Sequence, residues 1–196
     1  MNYTILAINP GSTSTKIAVY EDTRPILSLA IDHPAAEIAA FATIGDQFEW
    51  RKNLVLKSLH ERDFDIRTLS AVIGRGGLVH PVEGGVYEVN DALHDDLLHA
   101  RRQHASNLGG LIAQEIAAEA GVKAYIADPV VVDEMIPYAR ISGLPELPRE
   151  SIFHALNQKA IARRYARETG RKYEELNLIV SHMAAASPSA HTVRGV

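Results

Sequence analysis

Asn9, Ser12, Ser14 and Lys16 fall in one short stretch, Asn-Pro-Gly-Ser-Thr-Ser-Thr-Lys at 9–16, between the apolar runs 5–8 and 17–20. A tight hairpin needs only one or two special residues, such as Asn-Gly or Asp-Gly. This loop holds far more polar groups than turning requires. It is either a Ser/Thr-rich surface hairpin or a nest of amides and hydroxyls for an anion, to which Lys16 adds a point charge suited to phosphate. Two familiar phosphate loops are excluded. Gly11 has no second glycine before Lys16, and the residues after it are β-branched rather than helical, so neither the Walker pattern nor the dinucleotide fingerprint fits.

Arg75 stands between the apolar run 71–74 and Gly76-Gly77. Glycines let a backbone approach a ligand closely, and the guanidinium fork matches a carboxylate or phosphate, although an arginine at a strand end can be a solvated charge. Asp128 follows the apolar run 123–127 and precedes Pro129. Strand C-termini are where α/β folds place chemistry, and Asp-Pro is also a common turn initiator. Nine histidines invite a metal reading, but His94, His99 and His104 fall five apart, a spacing that scatters them around a helix. His104, ahead of Ser106-Asn107, and His154, at a helix start, are each readable as packed or surface histidines. Arg163, Arg164, Arg167, Arg171 and Lys172 read as a solvated helix face.

The elements that must position these residues follow from periodicity and caps. Residues 4–8, 15–20 and 26–31 predict an antiparallel meander. Residues 35–62 are helical in tendency. Residues 71–74 form a short strand, and Asn90 or Asp91 caps a helix bearing Leu93, Leu97 and Leu98. Ser106 or Asn107 caps the next, with Leu108, Leu111, Ile112 and Ile116 on one face and Gly121 as its terminator. A strand at 123–127, a helix from Glu150 to Thr169 and a strand at 176–181 complete an α/β order. Repeats and low-complexity linkers are absent from the sequence.

The chain has 196 residues, 46% hydrophobic and 22% charged, enough for one large or two small domains. A net charge of −4 argues against nucleic acid as a partner. With no cysteine, disulfides, thiolate nucleophiles and cysteine zinc sites are excluded. No signal-peptide pattern opens the sequence and no apolar run reaches the roughly 20 residues of a membrane span, so the expected location is the cytoplasm.

The loop "NPGSTSTK" behind an apolar strand resembles the first phosphate motif of the actin, hexokinase and acetate kinase superfamily, and its wording is similar to that of the butyrate and branched-chain fatty-acid kinases. The resemblance continues through "GRGGL" (74–78), "GGVYEVN" (84–90), "HASNLGG" (104–110), "ADPVVVDEM" (127–135), "FHALNQKA" (153–160) and "LIVSHM" (178–183). It implies a ribonuclease-H-like (actin-like ATPase) α/β fold and phosphoryl transfer from ATP, with Mg²⁺, to a short-chain carboxylate. By this resemblance Asn9, Ser12, Ser14 and Lys16 hold phosphate, with Asn9 and Asp128 near the metal. Arg75 binds the substrate carboxylate and the transferring phosphoryl group, Asp128 organises the reacting groups, and His154 stabilises the phosphoryl group in flight. His104 matches a further active-site histidine, and His182 the one that opens the second phosphate motif. The intact family member is expected to be a homo-oligomer. A sugar kinase or polyphosphatase of the superfamily would share the first loop but lack "GRGGL" and "FHALNQ".

The same resemblance makes 1–183 an N-terminal acyl-kinase domain, with the second domain beginning from about 176 and its nucleotide-binding part absent. The chain is therefore expected to be truncated and inactive alone, with a non-catalytic fragment as the alternative reading. In the tail 184–196, Ala-Ala-Ala-Ser-Pro-Ser-Ala stands where the family reads Gly-Gly-Gly-Ile-Ser-Val-Gly. The expectation is a frameshift there.

Overall fold

The computed structural model describes residues 2–183 and the backbone of 189–194. Strands β1 (Thr4–Pro10), β2 (Ser14–Glu21) and β3 (Arg24–Asp32) form the antiparallel meander expected from the sequence. Ile8 lies opposite Ile17 and Asn9 opposite Lys16. Strict alternation buries Leu6, Ile8, Ile17 and Val19, so Asn9 and Lys16 must face the other way. Asp22 takes the left-handed conformation that the tight β2–β3 turn demands, with φ 51°.

The helical stretch expected over 35–62 is broken in two, α1 (Ala35–Ile38) and α2 (Phe48–His60). The cause is a reciprocal cap between them. Thr43 N–H donates to Asp46 Oδ2 at 2.8 Å and Asp46 N–H to Thr43 Oγ1 at 3.2 Å, restarting the helical path through a 3₁₀ turn at Gly45–Gln47.

Strand β4 (Ala71–Arg75) pairs in parallel with β1. The short strand β5 (Val86–Glu88), unforeseen because it spans only three residues, lies antiparallel on β6 (Lys123–Ala127), which is itself parallel to β4. The resulting order is β3-β2-β1-β4-β6-β5. Between β5 and β6 run α3 (Asp91–Leu98), capped by Asn90 Oδ1 on Leu93 N–H at 2.9 Å, and α4 (Asn107–Ala120). Helix α4 buries Leu108, Leu111, Ile112 and Ile116 against the sheet, each contributing about 1.5–3 kcal/mol. It ends at Gly121, left-handed with φ 72° as expected. Ser106 precedes its first turn but makes no side-chain cap; its hydroxyl is engaged elsewhere.

The chain divides into two compact units. Unit one is the chain through His80 together with Gly85–Ala127; unit two is Pro81–Gly84 and the chain from Asp128 onward. In unit two, Val82 bridges Val132 in parallel. Helix α5 (Ala155–Glu168) starts later than the expected Glu150. Residues just before it bond to an extended segment instead, Phe153 N–H to Val130 O at 3.0 Å and Ser151 Oγ to Val132 O at 2.6 Å. Strand β7 (Asn177–His182) pairs antiparallel with β8 (Ser189–Arg194). The expected substitutions of Ala184–Ala186 and Pro188 for a glycine turn lie outside the described residues.

Candidate functional site

Unit one gathers polar residues at one end of its sheet. Asn9 and Lys16 are register partners, Ser14 lies two residues from Lys16 on the same face, and Arg75 closes the adjoining strand β4. Arg75 Nη1 donates to Asn9 Oδ1 at 3.3 Å. Its guanidinium is half-buried, and that burial pulls its pKa below the ordinary arginine value. Asn9, Ser12 and Lys16 are exposed, so their polar ends are open to a ligand.

His104 lies close enough to Arg75 to be influenced by it. Burial first, and the Arg75 charge second, push its imidazole below the usual histidine range. Its Nδ1 accepts the Ser106 N–H at 3.1 Å, with the Ser106 hydroxyl also at 2.8 Å. A nitrogen that accepts a backbone N–H carries no proton, so the ring proton sits on Nε2. His104 is thus set as a neutral donor.

Two close approaches let α4 reach the strand that carries Arg75. A Cβ on Gly74 would run into the backbone of Gly109 and Gly110, and one on Gly77 into Asn107. Asn107, 1% exposed, accepts the Leu78 N–H at 2.9 Å and donates to Arg102 O at 3.0 Å, tying the loops on both sides of Arg75 and His104 to the helix start. Gly74, Gly77, Gly109 and Gly110, from "GRGGL" and "HASNLGG", therefore serve close packing.

Unit two holds a separate charged cluster. Asp128 is 8% exposed and left-handed, with φ 36°, a conformation costly outside glycine and tolerated by Asp. Lys159 Nζ lies 3.5 Å from Asp128 Oδ1 and 2.6 Å from Glu134 Oε1, and Arg163 Nη1 is 3.6 Å from Asp128 Oδ2. Gly84 passes so near that a Cβ there would strike both Lys159 and Glu134. Lys159, Glu134 and Arg163 were not foreseen as site residues. Arg163 keeps the solvated position expected of its helix, its side chain about half exposed, and also stacks over Tyr173 with Cζ 5.3 Å from the ring centre.

His154 occupies the N-cap position of α5, and its ring stacks on His182 with centroids 4.0 Å apart and planes at 23°. Asn157 Nδ2 donates to His182 Nδ1 at 2.9 Å, which leaves the His182 proton on Nε2. Of the sequence-proposed residues, Asn9, Ser12, Ser14, Lys16, Arg75 and His104 fall in unit one, while in unit two His154 and His182 are stacked together and Asp128 lies in its own charged cluster.

Among the described residues no three His, Asp, Glu or Cys side chains converge as a metal cage. Mg²⁺ commonly arrives on phosphate oxygens and takes only one or two carboxylates from the protein. Asp128 faces Lys159 and Arg163 instead, and would serve a metal only by giving up one of these two cations.

No family model matches the chain. Its fold is that seen in solved acetate kinases. It overlays acetate kinase from Porphyromonas gingivalis with a TM-score of 0.70 over 98% of this chain and 55% of that one, at 16% identity. Acetate kinase from Entamoeba histolytica gives 0.67 over 98% and 52%, at 14% identity. In sequence the chain is a relative of the butyrate kinases. It is 55% identical over 193 residues to butyrate kinase 2 of Clostridium acetobutylicum, covering 97% of this chain and 54% of that protein. It is 58% identical over 180 residues to a probable butyrate kinase of Bacteroides thetaiotaomicron, covering 91% and 51%. The chain therefore spans about half the length of the curated relatives it matches.

Proposed function

We propose that this chain carries the carboxylate-binding and phosphate-binding machinery of a butyrate kinase, which moves a phosphoryl group between ATP and a short-chain or branched-chain carboxylate to give an acyl phosphate. The observation that carries the reading is Arg75, held on Asn9 beside the loop at 9–16, with neutral His104 nearby.

A carboxylate substrate is already ionised at neutral pH, so the reaction needs no general base. What it needs is alignment of the reacting oxygens and neutralisation of the charge spread over the phosphoryl oxygens. Arg75 offers a fork for the substrate carboxylate or the phosphoryl group in transit, and His104 a donor from Nε2. Asn9, Ser12, Ser14 and Lys16 offer amides, hydroxyls and a cation to phosphate. Asp128 is the carboxylate that the resemblance assigns to Mg²⁺, which when bound would neutralise phosphate charge. His154, steadied by its stack on His182, is assigned to the phosphoryl group in transfer.

Cytoplasmic location and homo-oligomerisation of the intact enzyme belong to the same reading. Among the described residues no helix is long and apolar enough to cross a membrane. The experiment is a hydroxamate assay for acyl phosphate, run on the chain alone and on its residues 1–183 joined to the remaining half of a butyrate kinase, with butyrate, isobutyrate and acetate side by side. Acyl phosphate from the joined protein, with butyrate or isobutyrate favoured over acetate, supports the reading. A folded joined protein that phosphorylates none of the three overturns it. A sugar kinase or polyphosphatase activity would appear only with other substrates, and a non-catalytic fragment would be silent alone while the joined protein works.

A further inference from the structure

Arg51, in the first turn of α2, is 1% exposed and the largest fully buried side chain in the described chain. Its Nε and Nη2 donate to Gln47 Oε1 at 3.0 and 2.8 Å. Nη1 donates to Gly11 O at 2.8 Å and to Thr15 Oγ1 at 3.2 Å, and Nη2 reaches Ser12 O at 3.3 Å. Every one of these acceptors is neutral. Burying a charge without a counter-charge is costly, and a fold tolerates it where something else is gained.

The gain lies in the loop. A trans peptide unit sets its C=O and N–H in opposite directions. With the Gly11 and Ser12 carbonyls bound to a guanidinium behind the loop, the Ser12 and Thr13 amides point the other way. Neither amide finds a protein partner among the described residues. Two further bonds fix the turn, Gly11 N–H to Ser14 O at 2.7 Å and His33 N–H to Thr13 O at 2.8 Å. His33 adds a side-chain contact, its Nε2 lying 2.8 Å from the same Thr15 Oγ1 that Arg51 uses.

We infer that Arg51 is the positioning residue of the phosphate loop: its buried guanidinium turns the Gly11 and Ser12 carbonyls inward and their partner amides outward, and finds its counter-charge in the anion those amides bind. This rests on the reading of 9–16 as a phosphate loop. Arg51 does not touch the ligand. It acts through the backbone, and its charge lies behind the site.

The test is amide NMR on the full chain, titrated with inorganic phosphate against chloride at matched ionic strength, with hydrogen exchange of the Gly11 amide measured alongside. Phosphate should shift the Ser12 and Thr13 amides of the wild type. Arg51→Met and Arg51→Lys should both abolish that response and speed Gly11 exchange about ten- to a hundredfold, the loss of one charge-assisted bond. Lys16→Ala should weaken the phosphate response and leave Gly11 exchange unchanged. If Arg51→Met proves unfolded, Gln47→Leu removes the anchor of the guanidinium and should act in the same direction with smaller amplitude. A phosphate response that survives in a folded Arg51→Lys or Gln47→Leu protein overturns the inference while leaving the loop reading intact. A wild type that gives no phosphate response, with a loop that still loosens in Arg51→Met, overturns both and makes Arg51 a structural clasp.

Discussion

Lys159 stands between two carboxylates, 2.6 Å from Glu134 and 3.5 Å from Asp128, and its own side chain is only 6% exposed. The pairing is asymmetric, because Asp128 is as buried as the lysine whereas Glu134 is open enough for water to solvate it. Lys159→Met should therefore strand chiefly Asp128. The expected cost is roughly 3 kcal/mol, the low end for breaking a buried pair, with Arg163 and solvated Glu134 softening the loss. Urea unfolding of the two proteins measures it. An unchanged midpoint would mean that the ammonium contributes nothing net to Asp128.

Arg75 gives a prediction that can be read in this chain without any turnover. Its charge is the second cause, after burial, of the lowered His104 pKa. Arg75→Ala should move the His104 titration upward toward the ordinary histidine value, followed by the ring proton shifts. In the joined enzyme the same substitution should cut turnover by about 10²–10³-fold, as for the loss of one transition-state donor. Arg75→Lys should restore little, because the fork is lost. Near-normal turnover in the alanine variant would remove Arg75 from the reaction.

His33 supplies a pH dependence. Burial, and then the neighbouring Arg51 charge, lower its pKa from 6.5 to about 4. Asp32 pulls the other way, but less. In the unfolded chain His33 takes up a proton near pH 6.5, whereas in the folded chain it resists until about pH 4. Between those values the unfolded state binds more protons, so stability must fall as pH is lowered through that window and level off below it. His33→Gln should flatten the slope in that range, measured by urea unfolding at half-unit steps. An unaltered slope would show that His33 titrates alike in both states.

The parts of this fold legible in the sequence are those set by local chemistry. The meander follows from period-two alternation, the start of α3 from Asn90, and the end of α4 from Gly121. The restart of α2 was also locally encoded, since Thr43 and Asp46 have capping-box spacing, although the apolar spacing across 35–62 masked it. What escaped notice depends on partners far along the chain. Arg51 meets Gly11 across 40 positions and Lys159 meets Glu134 across 25, and neither residue differs in type from a solvated surface charge. The site residues named from "GRGGL", "HASNLGG" and "FHALNQ" owed their selection to resemblance; Gly74 and Gly109 in the first two words have a packing reason that only the contact of β4 with α4 reveals.

That contact can be tested directly. A methyl group on Gly74 has no room against the backbone of Gly109 and Gly110, and backbone gives way less easily than a side chain. Gly74→Ala should destabilise unit one by about 1–3 kcal/mol, the usual range for overpacking. It should also disturb the Arg75–Asn9 contact one residue away, visible as a shift of the Asn9 side-chain amide. Gly143 has nothing within reach of an added Cβ and no positive φ, so Gly143→Ala serves as the neutral control.

The last prediction concerns residues 184–190, Ala-Ala-Ala-Ser-Pro-Ser-Ala. The resemblance calls for Gly-Gly-Gly-Ile-Ser-Val-Gly there, a turn whose amides approach phosphate, and alanine Cβ atoms and a proline both work against such a turn. The two words are related by one base. Gly-Gly-Gly-Ile-Ser-Val-Gly written as GGC GGC GGC ATC TCC GTC GGC, followed by GC, reads GCG GCG GCA TCT CCG TCG GCG once a single G is removed from the first codon. That is Ala-Ala-Ala-Ser-Pro-Ser-Ala in order. Unrelated divergence has no reason to reproduce seven residues of a shifted frame, even with the codons chosen freely. We therefore expect the gene's DNA to read as a glycine run across these codons when one base is restored. If neither alternative frame spells Gly-Gly-Gly-Ile-Ser-Val-Gly there, the idea fails and the alanines are native to the chain.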